Sequence, residues 1–166
     1  DEPGAGAVAV EERGVTSGDI VCGITASGRT PFVLGALERA KALGAQTILL
    51  SCNPSAHRAD LKVDLRIDLP TGPELLTGST RLKAGTATKV ALNILSTGAM
   101  VRLGRVQGNL MIDLNASNAK LRDRAARLLA QLAGCDYAVA MGQLREADWN
   151  LRAALTSAAA CDERLE

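Results

Sequence analysis

Residues 19–51 read DIVCGITASGRTPFVLGALERAKALGAQTILLS, and this stretch decides the fold. Its first part, Asp19–Ile24, is a short apolar run without polar alternation, which predicts a strand buried on both faces, as in parallel sheets. Thr30 offers a hydroxyl to cap the helix that follows, Pro31 suits the first helical position, and apolar residues then recur at helical spacing. A second apolar run at 47–51 completes a β-α-β unit, and such units are parallel and right-handed.

Weaker patterns flank this unit on both sides. The Gly- and Ala-rich start predicts a short helix that ends near Gly14, and the alternation of apolar and charged residues at 65–69 predicts an edge strand with one wet face. From about Ser79 to Leu103 a strongly apolar helical stretch predicts a long helix that is buried, in part at a subunit contact.

The end of the chain has a helical pattern. Ser117 is placed to cap a helix that ends at Gly134, and two short helical stretches follow at 136–145 and 146–160. The sequence therefore predicts an α/β fold, with a parallel sheet flanked by helices in residues 1–115 and a small helical region in residues 116–166.

Composition excludes several classes of function. A formal charge of +1, with one Trp, one Tyr and one Phe, offers little to a nucleic acid. No apolar run approaches the roughly 20 residues that span a bilayer, and these residues show no basic segment followed by an apolar one, so we expect a soluble, cytoplasmic protein without a membrane partner. The four cysteines are widely spaced and lack His-rich neighbours, so we expect no metal, no disulfide and no cofactor.

The loop between the first strand and its helix is the first candidate site. Such a loop gathers unpaired backbone N–H groups at the positive end of the helix dipole, which favours an anion. The hydroxyls of Thr25, Ser27 and Thr30 add donors for phosphate oxygens. Gly28 allows close approach of the backbone, and Arg29 adds positive charge. The loop matches neither the Walker nor the dinucleotide fingerprint, and an ordinary strand-to-helix turn remains the alternative.

A second Gly-rich segment, residues 72–89, carries hydroxyls and cations ahead of the long helix. Hydroxyls alternating with Arg and Lys suit a phosphorylated, hydroxyl-rich ligand, because charge-assisted hydrogen bonds hold the phosphate while neutral donors contact the sugar. The candidate ligand residues here are Glu74, Ser79, Thr80, Arg81 and Lys83. A solvated, capped helix start is the alternative.

Acid–base groups are few. Glu74 is the one carboxylate in the second segment; it has the chemistry to accept from a sugar hydroxyl or to act as an acid or base, but a capping or ion-pair role is favoured. His57 is the only histidine, and we interpret it as an exposed loop residue. The lack of a Ser-His-Asp or Cys-His arrangement argues against hydrolysis by a triad.

Several stretches resemble N-acetylmuramic acid 6-phosphate etherases. The match is carried, in order, by GITASGRTPFV at 23–33, SCNP at 51–54, ELLTGSTRLKAGTATK at 74–89, LSTG at 95–98 and GNLM at 108–111. It runs nearly without gaps from about Asp1 to Gly134 and more loosely beyond.

The resemblance implies a sugar-isomerase-type domain in residues 1–115, in which a parallel sheet binds a phosphosugar and a homodimer has its sites near the subunit interface. It also implies cleavage of the D-lactyl ether of N-acetylmuramic acid 6-phosphate, with N-acetylglucosamine 6-phosphate and D-lactate as products. Ring opening exposes an aldehyde that acidifies the C2 proton, one carboxylate removes this proton, and a second carboxyl group protonates the departing lactyl oxygen. Water then adds to the resulting double bond and restores the sugar hydroxyl.

The resemblance also implies that residues upstream of Asp1 complete this site. The chain opens without Met, and we interpret it as part of a longer protein. Its first two strands, a Gly-Thr-Ser-Gly-Arg phosphate loop and the catalytic Glu pair are expected to lie upstream. Glu2 would take the place of one of these two glutamates only if the alignment of this chain with the family were shifted. We therefore expect this stretch alone to be inactive and to have an unpaired, association-prone sheet edge.

Two other functions fit the same loops. One is a phosphosugar-binding regulator similar to glucokinase regulatory protein, which binds without turnover. The other is a phosphosugar isomerase, which would interconvert aldose and ketose and release no lactate.

Overall fold

The computed structural model describes residues 2–54 and 61–162, so His57 lies outside the described residues. The elements follow the order α1 (Pro3–Glu12), β1 (Ile20–Thr25), α2 (Pro31–Ala42), β2 (Gln46–Ser51), β3 (Leu65–Asp68), α3 (Lys83–Arg102), β4 (Val106–Gln107), β5 (Leu110–Met111), α4 (Ala119–Ala133), α5 (Tyr137–Glu146) and α6 (Leu151–Asp162). Two compact units result, Asp1–Leu95 and Ser96–Glu166. The α/β class with a helical end is confirmed.

The first unit is built on a parallel sheet in the order β1-β2-β3. The central strand β2 is the best buried, with Leu49 and Leu50 each 1% exposed. Leu34 and Leu37 of α2 pack on this sheet with Leu49 and Leu61. The predicted β-α-β unit is therefore confirmed. Among the described residues β3 pairs with β2 alone, as predicted for an edge strand, but the predicted wet and dry faces are wrong, because Leu65 is 49% exposed and Arg66 is partly buried.

The prediction that the first strand is buried on both faces is wrong. Ile20 is 63% exposed and Ile24 is 41% exposed, while Gly23 and Thr25, on the other face, are buried. The face that carries Gly23 and Thr25 is covered by α2, and Val21 on that face also packs against the cluster that contains Val10 of α1. Within the described residues the strand pairs with β2 alone. The apolar run therefore lies at a sheet edge with one open face.

The packing of α1 on α2 depends on two glycines. A Cβ at Gly6 would lie 2.0 Å from the Phe32 carbonyl oxygen, and one at Gly35 would lie 2.1 Å from the Pro3 carbonyl oxygen. The backbones of α1 and α2 are therefore in direct contact where the helices cross, and no side chain larger than that of glycine fits at Gly6 or Gly35.

The helix α3 differs from its prediction in start and in burial. It begins at Lys83 rather than near Ser79, because residues 79–82 form turns ahead of it. Ala84 is its one buried residue among those described, whereas Val90, Ile94 and Met100 are each at least half exposed. The prediction of burial is wrong within the single chain.

The second unit has its own helical core. Ala125, Ala126 and Leu129 of α4 are fully buried and pack with Leu144 and Leu151. The cap of α4 is Asn118, whose side-chain oxygen accepts from the Leu121 N–H at 3.0 Å, so the prediction of Ser117 as the cap is wrong. The predicted stop at Gly134 is confirmed by its left-handed φ of 65°.

Asp64 joins β3 to β2 through charged hydrogen bonds. Its carboxylate accepts from the Thr47 N–H and hydroxyl, both at 2.8 Å, and pairs with Lys41. The hydrogen bond from Lys41 and those from Thr47 lower the pKa of Asp64 to about 2. Because the ionised form is favoured by folding, Asp64 stabilises the fold most above its unfolded pKa of about 3.9, and this contribution disappears as the pH falls toward 2.

We expect Asp64→Asn to lower the stability at pH 7 and to flatten the loss of stability between about pH 4 and pH 2. Denaturant midpoints measured across this range check the expectation. Asp136→Asn is the matched control, because Asp136 is exposed and makes no side-chain cap bond. Parallel pH profiles for wild type and Asp64→Asn would contradict the assignment.

Candidate functional site

The loop that follows β1 is held in a tight turn at the carboxyl edge of the sheet. Gly28 has φ 73°, and its N–H donates to the Thr25 carbonyl at 3.3 Å. The Cys52 N–H donates to the Ala26 carbonyl at 3.2 Å, so the loop is tied to the end of β2. Ligands of open α/β sheets bind at this edge.

Three hydroxyls converge inside the loop. The Thr25 hydroxyl lies 2.7 Å from that of Thr30 and 3.2 Å from that of Ser27. Thr25 is only 5% exposed, whereas Ser27 is exposed. Thr25 therefore acts as the scaffold, and Ser27 offers the accessible hydroxyl.

Thr30 stands at the N-cap position of α2, but its side chain makes no cap hydrogen bond. The predicted capping contact is wrong because the Thr30 hydroxyl is engaged with Thr25 instead. The first N–H groups of α2 are thus left without a side-chain cap, an arrangement that favours an anion. Arg29 is exposed beside it, and its backbone N–H donates to the Ser27 hydroxyl oxygen at 3.2 Å.

The start of α3 is different, because a carboxylate already occupies it. One oxygen of Glu74 accepts from the Lys83 N–H at 2.9 Å and the other accepts from the Ala84 N–H at 3.0 Å. These two backbone hydrogen bonds, from Ala84 and then Lys83, lower the pKa of Glu74. The favoured capping interpretation of Glu74 is confirmed by these contacts, and a lowered pKa does not suit a general acid near neutral pH.

The loop after β1 and the segment before α3 meet at one cavity of about 600 Å³. Its wall includes Ser27, Asn53, Glu74, Thr77 and Thr80. Ser27 of the first candidate site thus lines the same cavity as Glu74 and Thr80 of the second. The other predicted site residues do not line this cavity; they are Thr25, Gly28, Arg29, Thr30, Ser79, Arg81 and Lys83.

Asn53 is a wall residue that the sequence did not single out as a site residue. It directly follows the buried strand β2 and so lies at the same sheet edge as Ser27. Its position after a central parallel strand is the signal that could have identified it.

A larger cavity of about 830 Å³ lies in the second unit. Asp113 there accepts from Arg105 at 2.6 Å and from Arg152 at 2.7 Å, and the Arg122 guanidinium lies 4.7 Å from the Trp149 ring centre. These three arginines already have partners within the protein, so size alone does not make this cavity the better candidate.

Two further features bear on ligands. Within residues 2–54 and 61–162, no cluster of three or more His, Cys, Asp or Glu side chains is arranged to hold a metal ion. No helix of the described part has both the length and the apolar character needed to cross a bilayer.

The fold and the cavity define an α/β protein with a small-molecule site at the carboxyl edge of a parallel sheet. No family model matches the chain. Proteins named N-acetylmuramic acid 6-phosphate etherase do match it: that of Gloeobacter violaceus is 49% identical over 155 residues, covering 93% of this chain and 50% of the relative. That of Synechococcus sp. (strain CC9605) is 52% identical, covering 96% of this chain and 50% of the relative. That of Crocosphaera subtropica is 58% identical, covering 80% of this chain and 43% of the relative.

The chain is a homologue of the N-acetylmuramic acid 6-phosphate etherases and corresponds to a carboxyl-terminal part of them. It spans about half the length of the curated relatives it matches.

Proposed function

We propose that this chain forms the phosphosugar-binding part of an N-acetylmuramic acid 6-phosphate etherase. The proposed reaction is a carbon–oxygen lyase reaction of cell-wall amino-sugar recycling, which yields N-acetylglucosamine 6-phosphate and D-lactate. The single observation that carries the proposal is the identity of 45–58% to etherases over most of the chain. The cavity at the sheet edge supports it, because its position and polarity suit a sugar phosphate.

The phosphate of the ligand is proposed to bind at the amino terminus of α2. This terminus lacks a side-chain cap, and the Ser27 hydroxyl faces the cavity. Thr25 orients Ser27 and Thr30, Gly28 lets the backbone approach closely, and Arg29 supplies positive charge. Backbone N–H groups with a cation and hydroxyls are a common arrangement for phosphate oxygens.

The sugar is proposed to lie against the segment before α3. Thr77 and Thr80 line the cavity and offer hydroxyls. Ser79, Arg81 and Lys83 belong to the same segment and are proposed to complete the contacts when the ligand is bound. Glu74 also lines the cavity and is proposed to contribute to the binding site as part of its wall.

Catalysis is proposed to need two carboxyl groups and no metal or cofactor. Glu74 is engaged by backbone N–H groups, and Glu2 is exposed ahead of α1. The catalytic Glu pair is therefore proposed to lie in sequence that corresponds to the other half of the relatives, as the resemblance implies.

We further propose a cytoplasmic homodimer with a sugar-isomerase-type domain in residues 1–115 and a helical region in 116–166. Val90, Ile94 and Val101 recur at helical spacing on one face of α3 and are 51%, 67% and 52% exposed. An apolar stripe of this kind supports contact with a second copy. Light scattering of the purified protein is expected to give the mass of a dimer, and a stable monomer would contradict this assembly.

Release of D-lactate tests the proposed reaction. The chain fused to the amino-terminal half of the Gloeobacter violaceus relative is expected to release D-lactate from N-acetylmuramic acid 6-phosphate, whereas the chain by itself is not. The complete relative is the positive control. A fusion that folds and binds the phosphosugar without releasing D-lactate would contradict the lyase function, and aldose–ketose interconversion would indicate an isomerase instead.

A further inference from the structure

The segment between Glu74 and α3 has little packing of its own. Leu75 is 90% exposed and Leu76 is 62% exposed, so neither of these side chains fixes the segment by apolar packing. Its carboxyl end is attached to α3, because the Gly85 N–H donates to the Thr80 carbonyl at 2.9 Å. The bonds nearer Glu74 are short-range turns, such as those from the Ser79 N–H to the Leu76 carbonyl at 3.0 Å and from the Thr80 N–H to the Gly78 carbonyl at 3.1 Å. Turns of this kind set local shape but do not attach a loop to the rest of a protein.

The start of α3, by contrast, is a fixed point. Ala84 is 3% exposed, and its carbonyl lies 3.6 Å from the Cys52 sulfur, which also lies 3.6 Å from the Thr88 hydroxyl. Cys52 directly follows β2, so these contacts attach the first turns of α3 to the central strand of the sheet.

Glu74 connects the loose segment to this fixed point. Its two oxygens accept from two consecutive N–H groups, at 2.9 Å and 3.0 Å, although Glu74 lies nine and ten residues before these donors. Both partners are backbone groups, so the geometry does not depend on the rotamer of another side chain. The two hydrogen bonds therefore close residues 74–84 into a loop whose inner members, Thr77 and Thr80, line the cavity.

We infer that Glu74 is a positioning residue of the phosphosugar site: it closes the loop on α3 and so holds Thr77 in the cavity wall, beside Thr80, whose carbonyl is also held by the Gly85 N–H. This inference rests on the proposed function for the identity of the ligand. It assigns Glu74 a role through the loop rather than through proton transfer to the substrate.

Loop closure is tested without ligand, by following the amide protons of Lys83 and Ala84 in an NMR pH titration. In the wild type both are expected to shift with one common midpoint that lies below the ordinary pKa of Glu, because both donate to the same carboxylate. Glu74→Gln is expected to remove this titration. Persistence of the titration in Glu74→Gln would overturn the assignment of Glu74 as the loop anchor.

The effect on the site is tested by the affinity for N-acetylglucosamine 6-phosphate. Glu74→Ala is expected to weaken binding about tenfold, and Glu74→Gln, which retains one acceptor oxygen, by about threefold. Glu12→Gln is the matched control, since Glu12 is an exposed glutamate of α1. Affinity is measured well below the melting temperature, so that a loss of stability alone leaves it unchanged.

The two readouts separate this inference from the proposed function. Unchanged affinity in Glu74→Ala, together with loss of the amide titration, would overturn the positioning role. A wild-type protein that shows the titration but binds no phosphosugar would overturn the proposed function, and the positioning role with it, while leaving loop closure established.

Discussion

Gly35→Ala is expected to destabilise the first unit by about 3 kcal/mol, in the upper range for overpacked sites. The added methyl group would lie 2.1 Å from the Pro3 carbonyl oxygen and 2.8 Å from the Pro3 Cα, and both are backbone atoms. Relief would require α1 to move away from α2, which would loosen the burial of Val10 against Ala40 and Ala45. Denaturant unfolding of wild type and variant measures the difference.

Gly4→Ala is the matched control for this substitution. Gly4 lies in α1, the helix that packs against Gly35, but no atom outside its own turn of helix lies within 4 Å of a Cβ built there. Because Ala is a better helix former than Gly, the control is expected to be neutral or to gain up to about 1 kcal/mol. Equal stabilities for the Gly35 and Gly4 variants would show that the close helix crossing is not needed for the fold.

Gly28→Ala is expected to weaken phosphosugar binding by about tenfold or more. Gly28 has φ 73°, which costs an L-residue with a side chain about 1–2 kcal/mol, and the loop relieves this strain by changing shape. A changed loop would shift the Ser27 hydroxyl and the first N–H groups of α2 together. Calorimetric titration with N-acetylglucosamine 6-phosphate gives the affinity.

Gly14→Ala is the control that distinguishes a change in the shape of the binding loop from the general cost of backbone strain. Gly14 has φ 63° after α1, with open space around it, so its replacement carries a similar backbone cost outside the site. We expect the two variants to lose similar stability and only Gly28→Ala to lose affinity. Wild-type affinity in Gly28→Ala would exclude this loop as the phosphate site.

The sequence predicted the parallel β-α-β unit because its signals are local. An apolar run, a Pro at the first helical position and a second apolar run all act within residues 19–51, and the model has β1, α2 and β2 there. The same reasoning placed the anion loop at a strand end, since chain order and the parallel connection fix which edge it occupies.

The errors concern contacts that depend on the rest of the molecule. Apolar residues in β1 and α3 predicted burial, but burial requires a covering element. Ile20 and Ile24, on one face of β1, and Val90 and Ile94 of α3 stay exposed among the described residues. Thr30 has the right type for a cap, yet its hydroxyl meets Thr25 instead. Hydroxyls choose among nearby partners, and sequence spacing does not show which partner is closer.

Glu74 illustrates what spacing leaves undecided. Its position among hydroxyls and cations allowed a sugar contact, acid–base chemistry or a cap, and only the structure shows both oxygens on the Lys83 and Ala84 N–H groups. Asn53 was not singled out because a single amide side chain carries little signal until the sheet edge brings it to the cavity.

The most direct test of the central claim is an NMR titration of the chain with N-acetylglucosamine 6-phosphate, with unphosphorylated N-acetylglucosamine as the control. The account predicts saturable amide shifts confined to residues 26–33 and 77–84 for the phosphosugar, and no saturable shifts for the control. Saturable shifts centred on the second unit, equal binding of both sugars or no binding of either would contradict a phosphosugar site at the carboxyl edge of the sheet.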